Sequence, residues 1–175
     1  MKIVLLHVVF ESQSAFLSRR LITDNVLVAF ETLHYLKRKA QGKLGYIALK
    51  LDMSKTYDRV EWKFLEKVTI HLGFLGSFVS TIMSCMKFVS YAMLFNGELV
   101  GHIKPIRGLR QGNPLSPYMF LLCAIGLQRH LHKAESKGAI RGVSICRNGP
   151  HVSHLFSADD SVLFCRAKKH SAKLF

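Results

Sequence analysis

The sequence predicts an α+β fold, with helices packed on a mostly antiparallel sheet. Three observations predict it. Stretches with apolar residues at helical spacing alternate with short stretches of period two. Two pairs of short apolar runs flank turn signals: Asn96-Gly97, the pair that two-residue hairpin turns favour, and Asn148-Gly149-Pro150. The chain has 175 residues, 49% of them apolar, enough for one continuous domain with its own core. Prolines number only four and there is no repeat or low-complexity tract, so no linker divides it.

Taken in order, Asp24 caps a helix carrying Val26, Ala29, Phe30, Leu33 and Leu36 on one face, and Lys37, Arg38 and Lys39 suit its C-terminal dipole. Gly42 and Gly45 break the chain. From Tyr46 to Met53 the pattern alternates: Ile47, Leu49, Leu51 and Met53 face one way, and Tyr46, Ala48, Lys50 and Asp52 the other. A helix from about Glu61 ends at Gly73, a glycine C-cap. Ser77 caps the next, with Val79, Ile82, Met83 and Met86 at helical spacing. Tyr91–Phe95 and Glu98–Lys104 flank Asn96-Gly97 as a hairpin. Arg107–Asn113 is a polar, glycine-bearing loop. Ser116 then caps, and Pro117 opens, a long apolar helix that Gly138 ends. Val143–Cys146 and Val152–Phe156 read as a second hairpin. Ser157–Asp160 turns the chain, and Val162–Phe164 returns as a strand.

Lys and Arg total 25 against 11 Asp and Glu, a formal net charge of +14. A globular chain this basic meets phosphate, on nucleic acid or on an anionic surface, and the dispersed charges exclude a simple basic tail. No apolar run nears the ~20 residues of a membrane span, so no membrane association is expected. Ile3–Phe10 follows a single Lys2 and meets Glu11 at once, which makes a poor secretory leader. Cys85, Cys123, Cys146 and Cys165 are far apart with no CxxC, which argues against a zinc ribbon or a thioredoxin-type site and reads as intracellular. His151 and His154, with Cys146 and Cys165, keep no zinc-ligand spacing.

The five aspartates are Asp24, Asp52, Asp58, Asp159 and Asp160. Asp52 ends an apolar strand, and Asp159-Asp160 lies between the apolar pieces Leu155-Phe156 and Val162-Leu163-Phe164. Neighbouring acids repel in an apolar setting unless a cation neutralises them. If the turn brings them beside the end of the Asp52 strand, three carboxylates converge on hard divalent ions. Spacing alone leaves Asp159-Asp160 as an ordinary polar turn and Asp52 as a strand-end residue or helix cap.

From Gln13 to Cys165 the chain resembles the reverse transcriptase domain of plant LINE-type (non-LTR) retrotransposons. The resemblance rests on Gln13-Ser-Ala-Phe16, Arg20-Leu-Ile-Thr-Asp-Asn25, Ala48-Leu-Lys-Leu-Asp-Met-Ser-Lys55, Tyr57-Asp-Arg-Val-Glu-Trp62, Arg107-Gly-Leu-Arg-Gln-Gly112, Pro114-Leu-Ser-Pro117 and Ala158-Asp-Asp160, in that order and spacing. It implies a polymerase palm with part of the fingers over residues 13–167, the thumb being absent, between an unplaced segment 1–12 and a short tail 168–175. It implies an RNA-directed DNA polymerase, with an RNA template, a DNA primer and deoxynucleoside triphosphates as partners. By the resemblance, Asp52 and Asp159 ligate two Mg²⁺ (or Mn²⁺) ions and Asp160 supports the catalytic site. Tyr57 matches the aromatic gate under the incoming sugar, and Gln111 and Gly112 match the loop beside the nucleotide. Arg110 and Arg20 match contacts to nucleic acid. The later palm segment and primer grip are also missing, so the fragment is expected to be inactive alone. The alternative is a non-catalytic, basic nucleic-acid-binding remnant, whose +14 charge alone gives salt-dependent binding; a domesticated interaction module is a third reading.

The sequence departs from the family at four places. Ser18-Arg19 replaces Pro-Gly, putting a bulky side chain where glycine freed the backbone. Asn113 replaces an acid before Pro114. Thr56 replaces an alanine beside Tyr57. Ser157 replaces a large aromatic, which is expected to leave a cavity beneath the metal site.

Overall fold

The computed structural model describes residues 2–17, 19–39, 45–146 and 149–167, which form two compact units, Met1–Ser54 with Ala124–Phe175, and Lys55–Cys123. The mixed helix and sheet composition agrees with the predicted α+β class.

In the first unit, α1 (Lys2–Val8) buries Leu5, so part of the segment that the sequence left unplaced is packed structure. Helix α2 (Ile22–Arg38) begins two residues ahead of the predicted cap. Asp24 lies inside its first turn, and its Oδ2 accepts the Leu21 N–H at 3.2 Å. The predicted apolar face is largely open: Phe30 is 67% exposed and Val26 and Leu33 are 43% exposed. The buried residue of α2 is Thr32, whose hydroxyl donates to the Val28 carbonyl at 2.7 Å. Helical spacing finds an apolar stripe, but tertiary packing decides whether it is covered.

The sheet of this unit has the order β1 (Tyr46–Asp52), β7 (Asp160–Arg166), β6 (His154–Ser157), all antiparallel. Strand β1 alternates as predicted, with Ile47, Leu49 and Leu51 half-buried and Ala48, Lys50 and Asp52 exposed. The central strand β7 buries Ser161, Leu163, Phe164 and Cys165. The second predicted hairpin is shorter than its apolar runs. Only β4 (Val143–Ser144) pairs with β5 (His151–Val152), because the chain breaks at Ser153 and β6 pairs with β7 instead. Ser153 accepts the Phe164 N–H at 2.8 Å across that break. Asn148 and the tail 168–175 lie outside the described residues.

In the second unit, α3 (Trp62–His71) packs against α4 (Gly76–Lys87). Gly73 takes the left-handed conformation predicted for it, φ +85°. Helix α4 opens at Gly76 with Leu75 as its cap residue, so Ser77 is in its first turn and not its cap. Strands β2 (Tyr91–Phe95) and β3 (Glu98–Ile103) form the predicted hairpin, with positive φ at both Asn96 (+48°) and Gly97 (+85°), as a type I′ turn requires. Helix α5 (Ser116–Ser136) starts in this unit and continues into the first. No helix among the described residues is long and apolar enough to cross a membrane.

Candidate active site

Two adjacent rungs of the β1–β7–β6 sheet build the carboxylate site. In the outer rung Asp52 is directly opposite Asp160, which is opposite Ser157. Residues opposite one another share a face, so the two acids project together, with Cβ atoms about 4.5–5.5 Å apart. Strands β6 and β7 are joined by only Ala158 and Asp159, which puts Asp159 at the tip of the turn. Ala158 holds φ +55°, a left-handed angle that a residue with a Cβ adopts only under constraint. The residue facing Asp52 across the ladder is therefore Asp160, with Asp159 one residue further out.

All three aspartates are exposed. Among the described residues no group of three His, Cys, Asp or Glu side chains is gathered to hold a metal ion. Like charges spread when nothing neutralises them, and one counter-charge is built in: Lys50 Nζ lies 3.1 Å from Asp160 Oδ1. Both partners are more than half exposed, so the pair contributes little to stability. The donor chemistry nonetheless fits hard divalent ions, because it offers open carboxylate oxygens on one strand end and its turn.

The inner rung runs Leu51, Ser161, Phe156, and then Gln13, which bridges Phe156 in parallel from outside the sheet. The segment is tied closely: Ser14 N–H donates to the Phe156 carbonyl at 3.2 Å, and Phe156 N–H donates to the Ser12 carbonyl at 2.8 Å. Asn25 Nδ2 donates to both the Ser12 and Phe156 carbonyls at 2.7 Å. Gln13 Oε1 accepts from Ala15 N–H at 3.1 Å and from Ala158 N–H at 3.3 Å. Sequence reasoning had not singled out Gln13, Asn25 or Lys50 as site residues.

Ser157 belongs to the outer, carboxylate-bearing rung. The neighbouring inner rung carries the buried Phe156 and Gln13. Arg20 is engaged with the framework: its Nη1 donates to the carbonyls of Phe10 at 2.6 Å and Gln13 at 2.7 Å, and its Nη2 to Val9 at 3.4 Å. Arg19 takes φ +69°, the glycine-type conformation its bulk disfavours.

The nucleotide-side candidates lie in the second unit. Tyr57 opens a 3₁₀ turn, Tyr57–Arg59, and its ring centroid is 5.5 Å from that of Phe120. The glycine loop is hung on this turn: Leu109 N–H donates to the Tyr57 carbonyl and Gly108 N–H to the Val60 carbonyl, both at 2.8 Å. Gly108 has φ +90°, and a Cβ there would meet the Asp58 carbonyl oxygen at 3.2 Å. Trp62 Nε1 donates to the Gly108 carbonyl at 2.8 Å. Gln111 and Gly112 follow, exposed, and the Arg110 guanidinium lies 5.7 Å from the centre of the Tyr91 ring. Asn113 Oδ1 accepts the Leu115 N–H at 2.9 Å, so the amide that replaces the usual acid shapes the entry to α5. A cavity of about 510 Å³ lined by Trp62, Met86, Tyr91 and Arg110 belongs to this unit and includes none of the three aspartates.

Burial sets the remaining chemistry. It pushes the Cys123 thiol up to about 12 and raises Cys165 as well, so neither is a ready nucleophile. Burial lowers the His154 pKa, partly opposed by Glu135.

Residues 2–175 match the family described as reverse transcriptase (RNA-dependent DNA polymerase). The chain belongs to the reverse transcriptase family. It is 30% identical over 122 residues to an uncharacterised 149 kDa protein of transposon TX1 from Xenopus laevis, covering 70% of this chain and 9% of that protein. It is 43% identical over 68 residues to an uncharacterised mitochondrial protein of Arabidopsis thaliana, covering 39% of this chain and 56% of the relative. The chain thus spans about half the length of one curated relative and about a tenth of the other. These matches agree with the LINE-type resemblance. Among solved structures, telomerase from Candida albicans superposes with a TM-score of 0.64 at 15% identity, over 99% of this chain and 31% of the telomerase chain. Telomerase from Candida tropicalis gives 0.59 at 15% identity, over 84% and 30%. This reverse transcriptase domain therefore has a palm-type polymerase fold, as expected.

Proposed function

We propose that this chain is an RNA-directed DNA polymerase domain fragment of a non-LTR retrotransposon, of the class that adds deoxynucleotides to a primer 3′-hydroxyl on an RNA template, and that it is inactive alone. The observation that carries the reading is the outer rung, Asp52 opposite Asp160 with Asp159 in the adjoining two-residue turn. Asp52 and Asp159 would hold two divalent ions, and Asp160 would support them from the rung. When bound, Mg²⁺ or Mn²⁺ lowers the barrier by activating the primer oxygen and neutralising charge on the phosphates. The primer 3′-hydroxyl loses its proton to solvent as its oxygen bonds to the α-phosphorus, the bond from the α-phosphorus to the α–β bridging oxygen breaks, and pyrophosphate leaves with that oxygen. Tyr57 packs under the deoxyribose and disfavours a 2′-hydroxyl. Gln111 and Gly112 flank the incoming nucleotide, and Arg110 contacts phosphate.

A second reading, a non-catalytic basic binding domain, is favoured by two observations: the +14 charge, and the Lys50–Asp160 pair standing where, among the described residues, no group of three His, Cys, Asp or Glu side chains is gathered. Primer extension on an RNA template with Mg²⁺, run beside RNA-binding titrations, separates the two. Extension abolished by Asp159→Ala, with RNA affinity unchanged, supports the polymerase. Salt-dependent RNA binding with neither Asp159-dependent synthesis nor Asp159-dependent Mn²⁺ binding supports the binding domain.

A further inference from the structure

We infer that Gln13 is a positioning residue for the aspartate turn: its carboxamide oxygen fixes the Ala158 backbone and thereby sets where Asp159 points. The inference rests on the polymerase reading only for what Asp159 does, not for the clamp itself.

Three observations meet at this contact. Gln13 is completely buried and 145 residues from Ala158 in sequence, yet its Oε1 accepts the Ala158 N–H at 3.3 Å while also accepting the Ala15 N–H at 3.1 Å. The residue it grips is the one with the left-handed backbone, φ +55°, a conformation that persists only where surrounding contacts over-determine it. The Gln13 backbone itself is anchored independently of its side chain, by the bridge to Phe156 and by the Arg20 bond to its carbonyl at 2.7 Å. The carboxamide is thus a rigid arm from a fixed base to the first residue of a two-residue turn. The other residue of that turn is Asp159.

A pure packing role fits the side chain poorly. Among the described residues Gln13 Nε2 is buried without a hydrogen-bond partner, an unfavourable state that an apolar side chain of similar size would avoid. What the amide supplies and leucine does not is the acceptor for two backbone N–H groups. Losing it frees Ala158 to relax, and Asp159 moves with it, whereas Asp52 and Asp160 remain paired in the β1–β7 ladder. The arm therefore acts on one of the three carboxylates selectively.

The test compares wild type, Gln13→Leu and Gln13→Glu in the full chain. A buried glutamate stays protonated and keeps an acceptor oxygen. Amide hydrogen exchange is read at Ala158 against Phe164, whose N–H is held by Ser153 in the same sheet and reports general loosening. Mn²⁺ affinity is read by electron paramagnetic resonance. Gln13→Leu is expected to speed Ala158 exchange relative to Phe164 by about three- to tenfold, the scale of one neutral hydrogen bond, and to weaken Mn²⁺ binding by a similar factor. Gln13→Glu restores most of both. Equal acceleration at Ala158 and Phe164, or faster Ala158 exchange with unchanged Mn²⁺ affinity, overturns the inference. If wild-type Mn²⁺ binding is itself insensitive to Asp159→Asn, the polymerase reading fails, and the exchange ratio alone then decides whether Gln13 holds the turn.

Discussion

Lys50 Nζ lies 3.1 Å from Asp160 Oδ1, on the same face of β1 as Asp52 two residues later. The pair neutralises, from within the protein, the acid that faces Asp52 across the ladder. On the proposed metal reading, a divalent ion approaching this rung would meet an ammonium already there and compete with it for Asp160.

Replacing Lys50 by Gln removes that competitor. Mn²⁺ affinity is expected to rise about two- to fivefold at low ionic strength, with thermal stability changed by less than ~1 kcal/mol because the pair is exposed. A Mn²⁺ titration followed by electron paramagnetic resonance checks it; weaker binding would assign Lys50 a supporting role instead.

Arg19 holds φ +69°, which for a side chain with a Cβ costs about 1–2 kcal/mol. Arg19→Gly relieves that strain but adds freedom to the unfolded chain, so the net gain is about 0.5–1 kcal/mol. A rise in melting temperature of ~1–4 °C is expected in a thermal melt. No rise would mean that the arginine side chain contributes packing that offsets the strain.

Gly142 lies against the backbone of β5. A Cβ at this position would come within 2.7 Å of the Val152 carbonyl oxygen, which is backbone and does not yield cheaply. Gly142→Ala is expected to destabilise the domain by ~1–3 kcal/mol, read as a lower denaturant midpoint.

The His154 pKa is lowered from 6.5, first by burial. The unfolded chain therefore binds a proton more readily than the folded one. The stability this group contributes is present above pH 6.5 and is lost as pH falls through the lower folded value. Denaturant midpoints measured from pH 7.5 down to 5 should fall, and His154→Asn should flatten that fall. An unchanged slope in the variant would move the effect to another group.

Local patterns were legible in the sequence. The alternation of β1, the Asn96-Gly97 turn and the start of α5 each depend on a few consecutive residues, and each was found where expected. The open face of α2 and the break at Ser153 were not, because both depend on what packs against them from elsewhere in the chain. At the site, Asp52, Asp159 and Asp160 were singled out through family resemblance, since an Asp-Asp pair alone reads as a turn. Lys50 had a usable signal in the alternation that put it on the face of Asp52. Gln13 had none in periodicity: its partner Ala158 is brought to it only by the assembled sheet.

The most direct test of the central claim, that this rung and its turn form a divalent metal centre, is Mn²⁺-induced line broadening of backbone amide resonances at sub-stoichiometric metal. Broadening is expected to centre on Asp52, Asp159 and Asp160 and to be abolished in Asp52→Asn or Asp159→Asn. Broadening centred elsewhere, or retained in both variants, would contradict it.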